Sequence, residues 1–432
     1  MSLIGVFNRD PAVDDQVRTA LLTKKGFFLK FFSDSTDFLE FLNFELPEIV
    51  IINLCDEYEE LKKVVDNIRN DAWLHNFGII GIFDRHKEKE ESLLGKFKEL
   101  NILTVLSKDR LSTHLEKGVE IIERNRQIIF QLELTDKLVE KGTGAFTIDN
   151  DPLSVPIYAG LAATTLMQRG LVNADLRVQL QVVLTELLLN AIEHGNCGIT
   201  MDEKASLLLD GRSILDLVSQ KCRNPEIQKR RVYFEWQSDN EGTMFLIRDE
   251  GDGFNVKAMQ ERLDKQEPDA LNGRGILMAR HLAKKFAYNQ KGNQVKMLFA
   301  HPERPANRAP QGFSTEEVVT VKPGDVIFKE KELSNFLYYI AAGKFEVVYG
   351  GTIVGLLTAA DIFMGEMSFL MNNRRSATVR AITPGRLIKI SRKSFVSVVK
   401  EYPHYGIFLS KLLARKLSRA NDEATHRMDS TV

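Results

Sequence analysis

The chain has 432 residues, too many for one ordinary hydrophobic core, so two to four domains are expected. Hydrophobic residues make up 44% and charged residues 27%, a globular composition, and the net charge of −1 predicts neither nucleic acid nor acidic lipid as a partner. Three separated cysteines without CxxC spacing argue against a disulfide framework and a zinc site. No apolar stretch is long enough to span a bilayer, and a cytoplasmic protein is expected.

Residues 1–110 alternate strand-like and helix-like patterns. The runs "LIGVF", "EIVIINL", "FGIIGIF" and "NILTVL" have strand length, and amphipathic segments separate them. Strands separated by single helices predict an α/β domain with a doubly wound parallel sheet.

Residues 111–142 form a charged helical stretch that connects this domain to the next. Apolar residues recur at coiled-coil spacing and would make the chain a homodimer; they are Leu115, Ile122, Ile129 and Leu132. The alternative is a single connector helix packed on its own domain.

The apolar stretch "LTELLLNAIEHGN" (184–196) predicts a buried helix that breaks at "HGN". It carries Glu186 and Asn190 one turn apart, which on a surface would be an ordinary i,i+4 pair. Their neighbours leave little exposed face, and unpaired burial of such groups costs on the order of a few kcal/mol. We therefore expect both side chains to face a cavity or a partner.

Two glycine motifs follow that could line such a cavity. In "DEGDGF", Asp249 ends a strand beside Gly251 and Gly253, which let a flat ring approach and be recognised through an exocyclic amine. In "NGRGI", Gly273 and Gly275 open a helix whose free N–H groups and positive end suit phosphate.

The order and spacing of these three motifs resemble the GHKL ATP-binding fold of histidine kinases, gyrase and anti-sigma-factor serine kinases. The resemblance covers residues 143–303, predicts an α+β sandwich, and is nearest the serine kinase branch in the short lid and in "YNQKGNQVKMLF". It implies that Glu186 is the catalytic base and that Asn190 holds Mg²⁺ and the phosphates.

The same resemblance assigns the remaining ATP contacts. Asp249 would bind the adenine amine beside Gly251 and Gly253. The phosphates would lie on the second glycine motif, whose members are Gly273, Arg274 and Gly275, with Arg274 as a charge clamp. The segment 200–230 departs from the compact family pattern as an insertion.

Residues 1–110 resemble a response-regulator receiver domain, with changes at its chemical centre. The third strand ends at Asn53 instead of a phospho-accepting Asp, and Asn8 and Arg9 replace the acidic pair, although Lys108 matches the lysine that senses the phosphoryl group in that family. An amide cannot form an acyl phosphate, so a non-phosphorylatable interaction or dimerisation platform is implied. Asp10 or Asp56 as a substitute acceptor is the alternative.

Residues 304–432 resemble a cyclic-nucleotide-binding β-roll with flanking helices, and "MGEMSFLMNNRRSATVRA" matches its phosphate-binding cassette. The resemblance implies contacts to cAMP or cGMP from Gly365, Glu366, Arg375, Ser376 and Ala377. Arg375 offers a forked cationic donor to the cyclic phosphate, and Glu366 an acceptor to the ribose hydroxyl. The alternative is a structural salt bridge between Glu366 and Arg375.

These resemblances imply a cyclic-nucleotide-regulated, ATP-dependent serine/threonine protein kinase of the anti-sigma-factor type. Its partner would be a STAS-type anti-anti-sigma protein or a sigma factor. A non-catalytic scaffold that binds both nucleotides and sequesters a partner is the alternative. A histidine kinase fragment would require His114 as its phosphorylated residue, and the sequence around it lacks the usual pattern.

Overall fold

The computed structural model describes most of the chain in two compact units. One unit comprises residues 1–84 with 306–432, and the other residues 85–305. The described residues are 2–21, 26–55, 59–71, 77–125, 142–168, 171–200, 202–204, 206, 213–239, 242–257, 274–301 and 310–414. Within these ranges no helix is both long and apolar enough to cross a membrane. The domain boundaries drawn from the sequence stay predictions.

The N-terminal segment, residues 2–84, is an α/β layer, as predicted. Its parallel strands lie in the order β2-β1-β3-β4. Strands β3 and β4 are buried along their whole length, which is typical of apolar strands covered on both faces. The elements are β1 (Ser2–Phe7), α1 (Pro11–Leu21), β2 (Phe27–Phe32), α2 (Ser35–Glu45), β3 (Ile49–Asn53), α3 (Glu59–Asn70) and β4 (Gly78–Phe83).

An amide network occupies the carboxyl end of β3. Asn53 Nδ2 donates to Asn8 Oδ1 at 2.7 Å, and Asn8 Nδ2 donates to Asp14 Oδ1 at 2.7 Å. The Cys55 N–H donates to Asn53 Oδ1 at 3.0 Å. The two amides that stand in place of acids are therefore joined by one hydrogen bond, and Asp14 and the Cys55 N–H supply further partners. Asp56, which with Asp10 is a candidate substitute for the phospho-accepting Asp, lies outside the described residues.

The second unit is built on an antiparallel sheet in the order β6-β7-β8-β10-β9. The strands of this sheet are β6 (Gly142–Ile148), β7 (Val232–Ser238), β8 (Gly242–Arg248), β9 (Lys285–Tyr288) and β10 (Gln294–Ala300). The unit also contains strand β5 (Ile102–Ser107), which is not part of this sheet. Its helices are α4 (Glu90–Lys96), α5 (Leu111–Arg124), α6 (Val155–Gln168), α7 (Ala174–Asn190), α8 (Ile214–Lys221), α9 (Pro225–Lys229) and α10 (Arg274–Leu282).

Helix α5 is the described part of the predicted connector. Leu115 and Ile122 of the possible coiled-coil seam are buried, as is Gly118 between them, and a Cβ on Gly118 would lie 3.3 Å from Ile157 in α6. This part of the helix thus packs within its own unit. The seam residues Ile129 and Leu132 lie outside the described residues.

The remainder of the first unit is a β-roll of two four-stranded sheets, β11-β18-β13-β16 and β12-β17-β14-β15. Its strands are β11 (Glu317–Val321), β12 (Val326–Phe328), β13 (Phe336–Ala342), β14 (Lys344–Tyr349), β15 (Thr352–Thr358), β16 (Phe363–Met364), β17 (Thr378–Ala381) and β18 (Gly385–Ser391). Its helices are α11 (Glu366–Leu370), α12 (Arg392–Glu401) and α13 (403–414).

Candidate functional site

Helix α7 carries both Glu186 and Asn190, and its N-terminus is capped by a side chain. The Asn173 side chain caps it by accepting from the Leu176 N–H at 2.9 Å. After Asn190 the helix continues as a π-helical turn from Ala191 to Asn196, so it ends at "HGN", as the sequence predicted. Such turns are frequent at functional sites because they redirect the side chains that follow.

A buried cation, Arg177, joins α7 to the segment that leads into β5. Its Nη1 donates to the Ile102 carbonyl at 3.2 Å and to Gln181 Oε1 at 3.2 Å. Its Nη2 donates to the carbonyls of Lys98 (3.2 Å) and Leu100 (3.1 Å). The Arg177 side chain is fully buried, and burial lowers its pKa to about 10. Four acceptors therefore fix the first half of the helix that carries the site.

The π-helical turn brings Gly195 against the carboxylate of Asp249. A Cβ added at Gly195 would lie 2.4 Å from Asp249 Cγ. A Cβ added at Gly251 would lie 2.2 Å from the Gly195 carbonyl oxygen. Glycine is therefore required at both positions, because any side chain would displace the loop that holds Asp249.

Asn196 braces this loop from the end of the same turn. Its Oδ1 accepts from the Glu250 N–H at 2.8 Å, and its Nδ2 donates to Asn150 Oδ1 at 2.8 Å. Its carbonyl accepts from Arg230 Nη1 at 2.7 Å. One fully buried amide thus ties three separate segments together around the "DEGDGF" loop.

Asp249 is itself buried, and burial raises the pKa of its carboxyl to about 6. The Gly251 N–H opposes this shift by donating to Oδ1 at 2.9 Å. Gly253, with φ +80°, passes so close to the Lys291 carbonyl that a Cβ would overlap it. The carboxylate is therefore presented by a backbone with no room for side chains at its two glycines.

The second half of the site lies where α10 meets α7. Gly275 is in the first turn of α10, and a Cβ there would lie 2.7 Å from the Cβ of Glu186 and 2.7 Å from its Oε2. Asn190 is half-buried one turn after Glu186. Gly273 lies outside the described residues, as does the side chain of Arg274. The predicted approach of the second glycine motif to Glu186 is thus found for Gly275.

These two groups of residues have the chemistry that ATP binding requires, and their assignment to ATP stays a prediction. The carboxylate of Asp249 is an acceptor for an amine, and glycine backbone borders it. The first turn of α10 places backbone N–H groups beside Glu186, where an anion is favoured. Among the described residues, no three acid, His or Cys side chains form a metal cluster.

Gly195→Ala is expected to weaken ATP binding by about 10-fold or more, because the new methyl group would push Asp249 out of place. Titration with a fluorescent ATP analogue measures this. The control is Gly95→Ala, where a Cβ meets nothing within 4 Å. An unchanged affinity in Gly195→Ala would contradict the assignment of Asp249 to the site.

The candidate cyclic-nucleotide site centres on Arg375, which is buried beneath the cassette. Its Nη1 donates to the Gly365 carbonyl (2.9 Å) and to Ser368 Oγ (3.1 Å), and its Nη2 donates to the Phe336 carbonyl (2.5 Å). The guanidinium lies 4.0 Å from the centre of the Phe328 ring. Its Nε is buried and has no hydrogen-bond partner within the described ranges. The forked donor is thus present, with one donor still to be satisfied.

The other cassette residues surround this arginine. Gly365 adopts φ +76°, and a Cβ there would lie 2.1 Å from Arg375 Nη1. Glu366 is buried, and its charge acts to raise the pKa of Arg375, against the larger lowering by burial. Ser376 is exposed and Ala377 half-buried. Ile362, which precedes the cassette, has a positive φ of 66°.

Sequence reasoning missed several residues that build these sites. In the sequence, Gly195 and Asn196 indicate only the end of a helix, and no pattern marks Ser368 as a partner of Arg375. Arg177 and Gln181 were also missed, although they are an i,i+4 polar pair on an apolar helix, the same signal that drew attention to Glu186 and Asn190.

Comparison with known families identifies two domains. Residues 149–299 match the family described as "Histidine kinase-like ATPase domain". Residues 318–402 match the family described as "Cyclic nucleotide-binding domain".

Curated relatives share short stretches with the chain. Lysophospholipase nte1 of Neurospora crassa is 29% identical over 111 residues, which are 25% of this chain and 7% of that protein. The cGMP-dependent protein kinase of Plasmodium berghei is 35% identical over 80 residues, 18% of this chain and 9% of that protein. The Cyclic AMP receptor protein of Thermus thermophilus is 33% identical over 105 residues, 23% of this chain and 48% of that protein.

The chain thus spans less than a tenth of the first two relatives and about half of the third. The two family matches support an ATP-binding signalling protein with a cyclic-nucleotide input. The chain therefore contains a histidine kinase-like ATPase domain followed by a cyclic nucleotide-binding domain of β-roll fold.

Proposed function

We propose that this chain is an ATP-dependent serine/threonine protein kinase of the anti-sigma-factor type, regulated by a cyclic nucleotide. Its substrate would be a STAS-type anti-anti-sigma protein or a related sigma-factor regulator. The observation that carries the proposal is the contact between Glu186 and Gly275, which puts a carboxylate beside the helix start suited to phosphates.

The residues of the site would divide the work as follows. Asp249 accepts a hydrogen bond from the adenine amine, Asn190 holds Mg²⁺ and phosphate oxygens, and the N–H groups around Gly275 bind phosphate. Bound ATP would transfer its γ-phosphoryl group to the acceptor oxygen, with cleavage of the bond to the bridging oxygen and ADP as the leaving group. Glu186 accepts the proton of the acceptor hydroxyl, an effect worth roughly 10²–10⁴ in rate.

Glu186→Gln is expected to slow phosphoryl transfer by about 10²–10⁴-fold while ATP binding is retained, because the amide keeps the shape and loses the base. Labelled ATP is mixed with the full chain and purified STAS-type proteins. Asp175→Asn, which removes an exposed carboxylate from the same helix, is the control. If wild type transfers nothing to any of these proteins, or if Glu186→Gln matches wild type, the kinase proposal fails.

The second candidate function is that of a non-catalytic scaffold. It is favoured by the insertion 200–230, which is tied by an ion pair to the π-helical turn of the site. Lys204 of the insertion pairs with the buried Glu193 of the π-helical turn at 2.6 Å, and Lys221 pairs with Glu203 at 2.8 Å. ATP binding without phosphoryl transfer, together with partner capture that requires ATP, would support this candidate.

ATP affinity is expected to fall as the pH is lowered through about 6, because the Asp249 carboxyl, whose pKa burial raises to about 6, gains a proton there. A protonated carboxyl no longer accepts as strongly from the adenine amine. The contribution of Asp249 to folding stability should change in the opposite direction, and it is larger at low pH. Since the folded pKa exceeds the ordinary 3.8, the contribution of Asp249 to stability is lost as the pH rises from about 4 to about 6.

The pH series compares wild type with Asp249→Asn by calorimetric titration. The titration of ATP's own phosphates is common to both proteins, so the difference between them isolates Asp249. Parallel pH profiles for the two proteins would contradict the role of this carboxyl.

Arg375→Ala is expected to weaken cAMP or cGMP binding by about 100-fold, the loss typical of a charge-assisted contact to phosphate. Calorimetry on the full chain measures this. Arg374→Ala is the matched control, since Arg374 is exposed and donates to the Lys331 carbonyl at 2.9 Å. Arg375→Lys checks for misfolding, because it keeps the charge and loses the fork. Equal binding by wild type and Arg375→Ala would remove the cyclic-nucleotide input from the proposal.

A further inference from the structure

The last described helix of the chain, α13, lies against the N-terminal segment of the same compact unit. The Tyr405 hydroxyl donates to Asp71 Oδ1 at 2.7 Å, and both groups are buried. Lys411 Nζ donates to the Glu45 carbonyl at 2.5 Å. The rings of Phe44 and His404 meet edge to face with centroids 6.3 Å apart. Residues far apart in sequence thus form one specific contact surface.

The same helix belongs to the apolar core that contains the cassette. Phe369 of α11 lies in one buried cluster with Tyr405 and Leu409 of α13, and Leu46 of the N-terminal segment packs on that cluster. Leu46 follows α2 and holds the left-handed conformation at φ 48°. The cluster therefore reaches from the cassette to the N-terminal segment without interruption.

The cassette arginine is connected to this cluster through α11. Arg375 donates to the carbonyl of Gly365, which caps the start of α11, and to Ser368 within it. At the other end of α11, Arg392 bonds to the Phe369 carbonyl, and its guanidinium lies 4.6 Å from the centre of the Phe369 ring. A phosphate that recruits Nη1 of Arg375 would compete with the Gly365 carbonyl and Ser368 Oγ for this donor and so change the bonds that hold α11.

We propose that the N-terminal segment is the docking surface for α13 and that cyclic-nucleotide binding changes this docking through α11 and the shared cluster. The inference rests on the cyclic-nucleotide input proposed above. By this inference, the N-terminal segment, whose β3 end carries amides in place of acids, has a function: it responds to the cyclic-nucleotide-dependent change in the docking of α13.

Hydrogen–deuterium exchange on the full chain tests the docking surface without any ligand. Tyr405→Phe removes only the hydroxyl, which donates to Asp71 and also accepts from the Gly312 N–H at 3.3 Å. Exchange at residues 59–71, which include Asp71, is expected to quicken by about 10-fold, as for loss of one hydrogen bond. Tyr402→Phe is the matched control, because the Tyr402 hydroxyl pairs with Glu401. Exchange that stays the same in Tyr405→Phe overturns the inference.

Calorimetry with cAMP and with cGMP tests the coupling. If cyclic-nucleotide binding changes the docking of α13, a change in that docking must in turn change the cyclic-nucleotide affinity. Tyr405→Phe is therefore expected to change the cyclic-nucleotide dissociation constant by about fivefold or more. Tyr402→Phe is expected to leave it as in wild type. Binding that is identical in wild type and Tyr405→Phe overturns the inference and leaves the cyclic-nucleotide input standing. Wild type that binds neither nucleotide overturns both.

Discussion

Asp249→Asn is expected to bind ATP about 100-fold more weakly than wild type, a loss of ~3 kcal/mol. The asparagine oxygen can still accept from the Gly251 N–H, as Asp249 Oδ1 does at 2.9 Å. The NH₂ group of the asparagine would then face the adenine amine. Both groups are hydrogen-bond donors, so neither would have an acceptor in this buried position. The substitution thus keeps the loop and removes only the acceptor. Calorimetric titration with a non-hydrolysable ATP analogue gives the affinity.

The control for this substitution is Asp252→Asn, which removes the same charge from an exposed position of the same loop. Its ATP affinity should equal that of wild type. The stability of Asp249→Asn at pH 7 should not fall, because burial of the ionised carboxylate is unfavourable there. A loss of affinity in both variants alike would point to net charge and would contradict the specific role of Asp249.

Arg177→Met is expected to lower the free energy of opening of α7 by about 3 kcal/mol. Methionine fills part of the space but leaves the carbonyls of Lys98, Leu100 and Ile102 and the oxygen of Gln181 without the donors they now have. Amide exchange across α7 measures the effect, which corresponds to exchange faster by about two orders of magnitude.

The matched control is Asp175→Asn, which breaks the exposed ion pair between Asp175 and Lys98 (2.6 Å) and leaves the Arg177 contacts intact. Such a pair contributes little because it is solvent-exposed. Similar exchange in Arg177→Met and Asp175→Asn would contradict the view that Arg177 holds the helix. A drop in ATP affinity is expected to accompany Arg177→Met, since α7 carries Glu186 and Asn190.

Local patterns predicted the elements that depend on local physics. The wholly apolar runs at β3 and β4 could be recognised as buried parallel strands, and both are buried along their length. The glycine motifs were recognisable because Gly251 and Gly275 leave no space for a side chain. These features follow from steric limits that a short stretch of sequence already expresses.

Features that depend on tertiary contacts could not be read from the same patterns. Arg177 with Gln181 and Glu186 with Asn190 are both polar pairs at i,i+4 on one apolar helix. Only the fold reveals that the first pair faces carbonyls before and within β5, whereas Glu186 faces Gly275. Likewise, Asn196 looks like a helix terminator until its contacts to Asn150 and Glu250 are known.

The most direct test of the account is the ATP affinity of the full chain with and without saturating cAMP or cGMP. Coupling between the ATPase domain and the cyclic nucleotide-binding domain predicts a change in the ATP dissociation constant of about fivefold or more with at least one of the two nucleotides. An ATP dissociation constant that is the same with and without bound cyclic nucleotide would contradict the account.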